Sequence, residues 1–212
     1  MIRYRVNEQF NTVQGEGYHT GTPASFIRLQ VCTVGCPWCD TKYTWAKGGT
    51  LMKVEEILKE VKFKHVVVTG GEPTYWNLDE LIGALKVRNH YVQLETSGQN
   101  NLKGTWIPDW VTWSPKKNLS FKAPFELMRV VDEVKFVVDR DLTLEEVWDC
   151  LDPILEIAKD QPKHPHITMM PEGSPPTLES MEKAMTYTQA LSELTTRPVR
   201  FSDRLQYRLG VK

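Results

Sequence analysis

Three of the four cysteines lie in one short run, Cys32-Thr33-Val34-Gly35-Cys36-Pro37-Trp38-Cys39, at C-x3-C-x2-C spacing. Thiolates are soft ligands that suit iron and zinc. Three of them on a single loop can hold three corners of a [4Fe–4S] cube, which ordinarily takes four protein ligands. The remaining iron is then open to a substrate or cofactor. A structural zinc site is the plainer alternative. Zinc wants four ligands, usually as two separated pairs, and its fourth here would be His19 or His65. A redox thiol set is a third reading, for which one C-x2-C pair would suffice. Cys150 stands apart in Trp148-Asp149-Cys150-Leu151 and reads as a buried apolar residue.

Other segments have the composition of a ligand site. Asp40-Thr41 follows the last clustered cysteine. Oxygen ligands of that kind suit Mg²⁺, which keeps several waters and takes few protein oxygens; a metal-free Asp/Thr turn is the bland reading. Thr69-Gly70-Gly71-Glu72-Pro73 is either a strand-to-helix turn or a side-chain-free backbone that approaches a polar ligand. Arg28 sits in an apolar run. If it faces a barrel interior it needs an anion or several acceptors, and a substrate carboxylate is the natural partner; otherwise it is an outward charge. Gln14-Gly15-Glu16-Gly17 has the glycines of a tight loop, and Glu16 could meet the hydrogen-bonding edge of a ligand. Ser114-Pro115-Lys116 is a simple loop or a ligand contact. Trp38, between two cysteines, can shield a cluster or pack on a bound group, while His164 and His166 receive no role.

These segments need strands and helices to bring them together. Short strands are expected over 1–10, 24–31, 65–69, 91–95, 110–113, 133–138, 167–170 and 199–202. The run His65-Val66-Val67-Val68-Thr69 has the look of a buried parallel strand. Helices are expected over 53–62, where Val54, Ile57, Leu58 and Val61 repeat at helical spacing, from near Asn77 with Glu80 as its capping partner, from Thr143 with Glu146, and over 177–191. Pro153 is expected to kink or restart its helix. Strands alternating with helices predict a mostly parallel sheet in an α/β fold. Ligands of such sheets collect at the carboxyl ends of the strands, where the segments above fall.

The chain has 212 residues, enough for one domain with a full core, expected to span 1–212. Its formal net charge of −1 gives no general attraction to nucleic acid or membrane. No run of about 18 apolar residues is present, and the first residues lack the apolar stretch of a secretory signal. Clustered cysteines in such a chain favour metal over disulfides and a cytoplasmic setting.

The C-x3-C-x2-C loop after the first core strand, with Gly70-Gly71-Glu72-Pro73 after the second, resembles the radical S-adenosylmethionine (SAM) superfamily. Gln14-Gly15-Glu16-Gly17, Phe26-Ile27-Arg28-Leu29-Gln30, Cys36 to Thr41, Val68 to Pro73, Glu95-Thr96-Ser97-Gly98 and Ser114-Pro115-Lys116 together resemble the 7-carboxy-7-deazaguanine synthase family, over about residues 1–140. The resemblance implies a partial (β/α) barrel. It implies that Cys32, Cys36 and Cys39 ligate a [4Fe–4S] cluster, with SAM on the fourth iron as source of a 5′-deoxyadenosyl radical. The implied substrate is 6-carboxy-5,6,7,8-tetrahydropterin, which contracts and loses ammonia to give 7-carboxy-7-deazaguanine on the route to queuosine. By this resemblance Thr41 matches a Mg²⁺ ligand. Val13, Gln14, Gly15, Arg28 and Thr69 match substrate contacts, and Trp38, Cys39, Asp40, Gly71, Ser114, Pro115 and Lys116 match SAM contacts. It further implies an electron donor such as flavodoxin and a homodimer, with no direct contact to nucleic acid or membrane. The segment between the cysteine loop and the second strand is shorter than in some relatives, and Leu209-Gly210-Val211-Lys212 does not repeat the family's tail, so no role is carried to it. Another radical SAM enzyme, such as a glycyl-radical activase, and a non-catalytic zinc-stabilised module are the competing classes.

Overall fold

The computed structural model of the chain describes residues 2–159 and 164–212. A nine-stranded sheet runs through them in the order β3-β1-β2-β4-β5-β6-β7-β8-β9. The strands are β1 (Arg3–Val13), β2 (Pro23–Leu29), β3 (Thr50–Lys53), β4 (His65–Gly70), β5 (Tyr91–Thr96), β6 (Trp110–Trp113), β7 (Glu133–Val138), β8 (His166–Pro171) and β9 (Val199–Phe201). From β2 to β9 every neighbouring pair is parallel. β1 runs antiparallel to both β2 and β3. The parallel run is what the alternation of elements implied; hydrogen bonds do not close the sheet into a ring, so it is a partial barrel, as the family resemblance implied.

The strands sort their side chains by period two. On β7, Val134, Phe136 and Val138 pack in one apolar core with Val111, Trp113, Ile167 and Met169 of the neighbouring strands. Helices α3 (Phe125–Met128), α4 (Leu144–Lys159) and α5 (Leu178–Leu194) cover that face through Leu127, Val147, Leu151, Ile154, Ala184 and Leu191. A second core joins Ile27, Leu29, Val66, Val68, Val92 and Leu94 to α1 (Val54–Leu58) and α2 (Asp79–Val87). The alternate residues Gln93, Glu95, Thr112, Glu133, Lys135 and Thr168 form a polar interior.

Several boundaries differ from the sequence expectation for identifiable reasons. β1 continues through Asn11, Thr12 and Val13, which pair with Ser25, Ala24 and Pro23. α1 stops at Leu58 rather than near residue 62. Amide side chains of β1 take carbonyls at and just beyond its end: Gln9 Nε2 donates to Ile57 O at 2.9 Å and Asn11 Nδ2 to Glu60 O at 3.2 Å. The Asn77–Glu80 capping box does not form, because Glu80 accepts from the Ile2 amide at 3.0 Å. The Thr143–Glu146 box does form, at 3.0 and 3.1 Å. α4 runs on through Pro153 without a break. β3 pairs with the start of β1, a strand the sequence pattern did not suggest.

Candidate active site

The carboxyl ends of β2, β4, β5, β6 and β7 surround a cavity of about 230 Å³. Cys32, Cys36 and Cys39 line it, with Val13, Gln14, Gly15, Arg28, Trp38, Asp40, Thr41, Thr69, Gly71, Ser114 and Lys116. Pro115 lines an adjoining cavity of about 250 Å³, separated from the first by Cys36, Trp38 and Lys116, which face both.

The cysteine loop is held by backbone rather than by regular structure. It leaves β2 through Val31, whose φ of 81° is left-handed. The Val31 amide donates to Thr44 O at 2.8 Å, Gln30 Nε2 donates to Tyr43 O and Ala46 O at 3.0 and 2.8 Å, and Asn118 Nδ2 donates to Val34 O and Gly35 O, both at 3.1 Å. The end of β4 passes directly beneath: the Gly71 amide donates to Leu29 O at 2.9 Å and the Glu72 amide to Val31 O at 2.8 Å. A Cβ on Gly71 would lie 2.2 Å from Val31 O and 2.9 Å from the Cys32 Cβ, a contact no side chain can make. The glycine pair is therefore required by the packing of one strand end under the cysteine loop, beyond the turn or ligand reasons read from sequence.

Glu72 locks the neighbouring strand ends. It is 1% exposed. Its Oε1 accepts from the Thr74 amide at 2.9 Å and from the Thr74 and Thr96 hydroxyls at 2.6 Å; its Oε2 accepts from the Ser97 amide at 2.8 Å and from the Ser97 hydroxyl. A buried carboxylate is tolerated when its lone pairs are filled in this way.

Arg28 faces the cavity, the interior option left open by the sequence. Its Nε donates to Glu8 Oε1 at 2.9 Å and its guanidinium lies 5.6 Å from the Phe10 ring. Lys116 is half-buried, with its ammonium 4.8 Å from the Trp38 ring. Burial draws the Lys116 pKa down, while Cys36 beside it works the other way. Burial likewise pushes the Cys32 and Cys36 thiols up, and the Lys116 charge opposes this at Cys36. Thr41 sits 3.4 Å from Cys39 Sγ through its hydroxyl.

A charged layer lines the rest of the cavity, and most of its residues carry no signal in the sequence. Lys135 Nζ donates to Glu95 Oε2 at 2.8 Å and to Glu16 Oε2 at 3.0 Å. Gln206 Nε2 donates to Glu16 Oε1 at 2.9 Å, and Arg204 Nε lies 3.7 Å from the same oxygen. Arg204 Nη1 donates to Asp40 Oδ2, Gly173 O and Ser174 Oγ, each at 3.0 Å. Burial would raise the Glu16 carboxyl, but Lys135 and Arg204 outweigh it and hold the pKa at about 2. Glu16 is thus an ionised, fixed member of the wall rather than a side chain on a free loop. Lys212 also reaches the cavity, pairing with Glu8 at 2.5 Å. The one sequence signal for Lys135 and Glu133 was charge alternating with apolar residues in Glu133-Val134-Lys135-Phe136. Nothing local marked Arg204, Gln206 or Lys212.

The zinc alternative fails on position. His65 opens β4 opposite Ala24 of β2, at the far end of the sheet from Leu29 and the cysteine loop. His19 packs there too, 4.8 Å from His65 and 4.5 Å from Trp110 between ring centroids. Burial, with His65 and His166 nearby, lowers the His19 pKa to about 4. Among the described residues no group of three or more His, Cys, Asp or Glu is arranged to grip a single metal ion. A cube places its thiolates further apart, one on each of three irons, and three free thiols around one cavity fit that demand. Cys150 is buried against α4's core, and burial raises its thiol to about 12. Among the described residues no helix is long and apolar enough to cross a membrane.

The model of the radical SAM superfamily matches residues 26–113, from β2 to the end of β6. The 7-carboxy-7-deazaguanine synthase of Escherichia coli (strain K12) is 36% identical over 190 residues, which cover 76% of this chain and 82% of that one. That of Buchnera aphidicola (subsp. Schizaphis graminum) is 42% identical over 139 residues, covering 54% of this chain. The match spans 63% of the Buchnera protein, a little under two thirds of its length. A crystal structure of QueE from Escherichia coli superposes with a TM-score of 0.74 at 30% identity, covering 95% of this chain and 94% of that one. With the cysteine loop, the Gly70-Gly71 crossing and the partial barrel agreeing, the chain belongs to the 7-carboxy-7-deazaguanine synthase family of the radical SAM superfamily.

Proposed function

We propose that this chain converts 6-carboxy-5,6,7,8-tetrahydropterin to 7-carboxy-7-deazaguanine with loss of ammonia, as a single radical SAM domain. The observation that carries the reading is that three free thiols on one loop share a cavity with Arg28 and the Gln14-Gly15-Glu16 turn. Family membership implies a [4Fe–4S] cluster and SAM, which when bound supply a 5′-deoxyadenosyl radical for hydrogen abstraction. Cys32, Cys36 and Cys39 would hold the cluster. Trp38, Cys39, Asp40, Gly71, Ser114, Pro115 and Lys116 are the proposed SAM contacts, and Val13, Gln14, Gly15, Arg28 and Thr69 the proposed substrate contacts.

The chain's own residues bind, orient and shield. Arg28, held through Nε by Glu8, offers the rest of its guanidinium fork to the substrate carboxylate. Gln14 Nε2 donates to Glu95 Oε1 at 3.3 Å, and its Oε1 accepts the Glu16 amide at 3.2 Å, which fixes the turn against the cavity wall. Thr41 is the proposed Mg²⁺ ligand; its neighbour Asp40 already holds Arg204. A flavodoxin-type electron donor, a homodimer and the cytoplasm as compartment belong to the same proposal and rest on the family and on the need of clustered thiols for reducing surroundings.

An anaerobic assay with reductant, SAM, Mg²⁺ and the carboxy-tetrahydropterin tests it. The deazaguanine and ammonia should appear in equal amounts, from a brown protein with about four irons per chain. An intact cluster without product sinks the substrate assignment. A colourless protein holding zinc sinks the radical chemistry altogether.

A further inference from the structure

Lys135 reaches the cavity wall from the middle of β7, with its side chain 5% exposed. It touches carboxylates from two other elements, Glu16 of the β1–β2 turn and Glu95 of β5. A third carboxylate, Glu133, sits two residues back on the same face. Glu133 is satisfied by neutral donors: the Tyr18 amide at 2.9 Å and the Thr168 and Thr112 hydroxyls at 2.6 and 3.0 Å. Glu16 has Arg204 and Gln206 in addition to Lys135. Glu95 has only the amides of Gln93 at 2.8 Å and Gln14 at 3.3 Å besides its share of Lys135. Lys116 also faces this layer across the cavity. Two half-buried carboxylates, Glu16 and Glu95, thus share Lys135, and Arg204 is divided between Glu16 and Asp40. Of the two carboxylates that touch Lys135, Glu95 is the less compensated, because Glu16 also has Arg204.

We infer that Lys135 is a positioning residue whose cation fixes Glu16 and Glu95 and so decides whether the cavity wall carries an exchangeable proton, held on Glu95. The electrostatics agree in direction. Burial, then Glu133 and Glu16, push the Glu95 carboxyl up against the pull of Lys135, to about 7. Burial works against the Lys135 charge, yet Glu95, Glu16 and Glu133 keep it firmly protonated.

A proton at that place has a use under the proposed reaction, on which this part of the inference rests. Product and ammonia together contain every atom of the substrate, so no oxidant or reductant is consumed overall. The departing ring nitrogen must gain a proton to leave as ammonia, and a ring carbon must lose one. Glu95 as an acid supplies the first, and as a carboxylate accepts the second, and returns to its starting form.

The test has two arms. In the full chain without cofactors, infrared difference spectra across a pH titration should show a carboxylic-acid band that titrates near neutrality and disappears in Glu95→Gln. Loss of the opposing charge in Lys135→Met should move its midpoint to higher pH by about one to three units, and Lys135→Arg should bring it back. With the loaded enzyme, the pH at which ammonia release falls to half should move the same way, a shift that a merely structural role would not produce. A band that survives Glu95→Gln, a wild-type chain without the band, or a Lys135→Met midpoint equal to wild type overturns the inference. If Lys135→Met does not fold, the Glu95→Gln and wild-type spectra decide alone. If the wild type releases no ammonia from the pterin, the proposed reaction fails, and the infrared arm still decides the roles of Lys135 and Glu95.

Discussion

Replacing Arg204 by Met removes the group that joins the start of the last helix, α6 (Leu205–Leu209), to Asp40 beside the cysteine loop. Arg204 is 4% exposed on its side chain and Asp40 31%. Breaking a fully buried ion pair by deleting one partner costs about 3–5 kcal/mol. Asp40 is partly wet, so water recovers much of its share, and about 2 kcal/mol is a fair remainder. The lost bonds to Gly173 O and Ser174 Oγ add about 1 kcal/mol. A total near 3 kcal/mol, at about 2–4 °C per kcal/mol for a chain of this size, lowers Tm by about 6–12 °C. Calorimetry or near-ultraviolet dichroism on the cofactor-free chain reads it. Asp40→Asn and the double variant complete a cycle, in which the pair should show a coupling of about 1 kcal/mol or more. A Tm within about 2 °C of wild type, or single effects that add to within about 0.5 kcal/mol, would refute the reasoning.

Three further outcomes are expected. His19 has a folded pKa of about 4 against an unfolded value of 6.5, so the folded chain binds fewer protons between those values and loses stability as pH falls through that window. His19→Phe should flatten this acid slope by about 1–2 kcal/mol after allowance for solvent at a half-exposed ring, measured by urea unfolding at pH 7 and pH 4.5; an unchanged slope counts against it. Gly71→Ala should lower stability by at least about 2 kcal/mol and abolish iron uptake, because its Cβ meets the backbone of Val31; normal iron content in a folded variant contradicts the packing argument. Cys39→Ala should fail to retain a stable cluster after anaerobic reconstitution, whereas Cys150→Ala should keep the full iron content, read by iron analysis and visible absorption.

The parts of the fold that depend on local pattern were legible. The Val66-Val67-Val68 run, the 3.6-period face of α2 and the Thr143–Glu146 box all act within a few residues, and all appear where the pattern put them; on α5 Ala184 and Leu191 are buried, but Leu178 and Met185 of the same periodic set face solvent. Boundaries failed where a distant group intervened, as when Gln9 and Asn11 took the carbonyls that would have extended α1. The site divided along the same line. The cysteines, the glycine pair and Arg28 carry their chemistry in type and spacing. Lys135 and Glu95 lie in strands whose polarity could be read but whose inward face could not, since period two leaves the choice of face to tertiary packing. Arg204 and Gln206 acquire meaning only because the sheet brings residue 204 beside residue 40.

The open seam of the barrel has a consequence for the order in which the molecule is made. No strand pairing joins β9 back to β1; the gap is bridged by Gly17 N to Ser202 Oγ at 2.9 Å and by Leu205 N to Gly15 O at 2.9 Å. The cysteine loop and the strands beneath it are translated well over a hundred residues before those partners exist. Domains begin to fold as they emerge during synthesis, so β1 to β6 can assemble while Lys135, Arg204 and Gln206 of the cavity wall are still missing. During that interval the thiols face open solvent from the side, which gives iron–sulfur assembly its widest access. Arrival of residues 202–206 then acts as a lateral seal. Cluster insertion into this chain should therefore proceed faster on a nascent or seam-weakened form than on the finished fold.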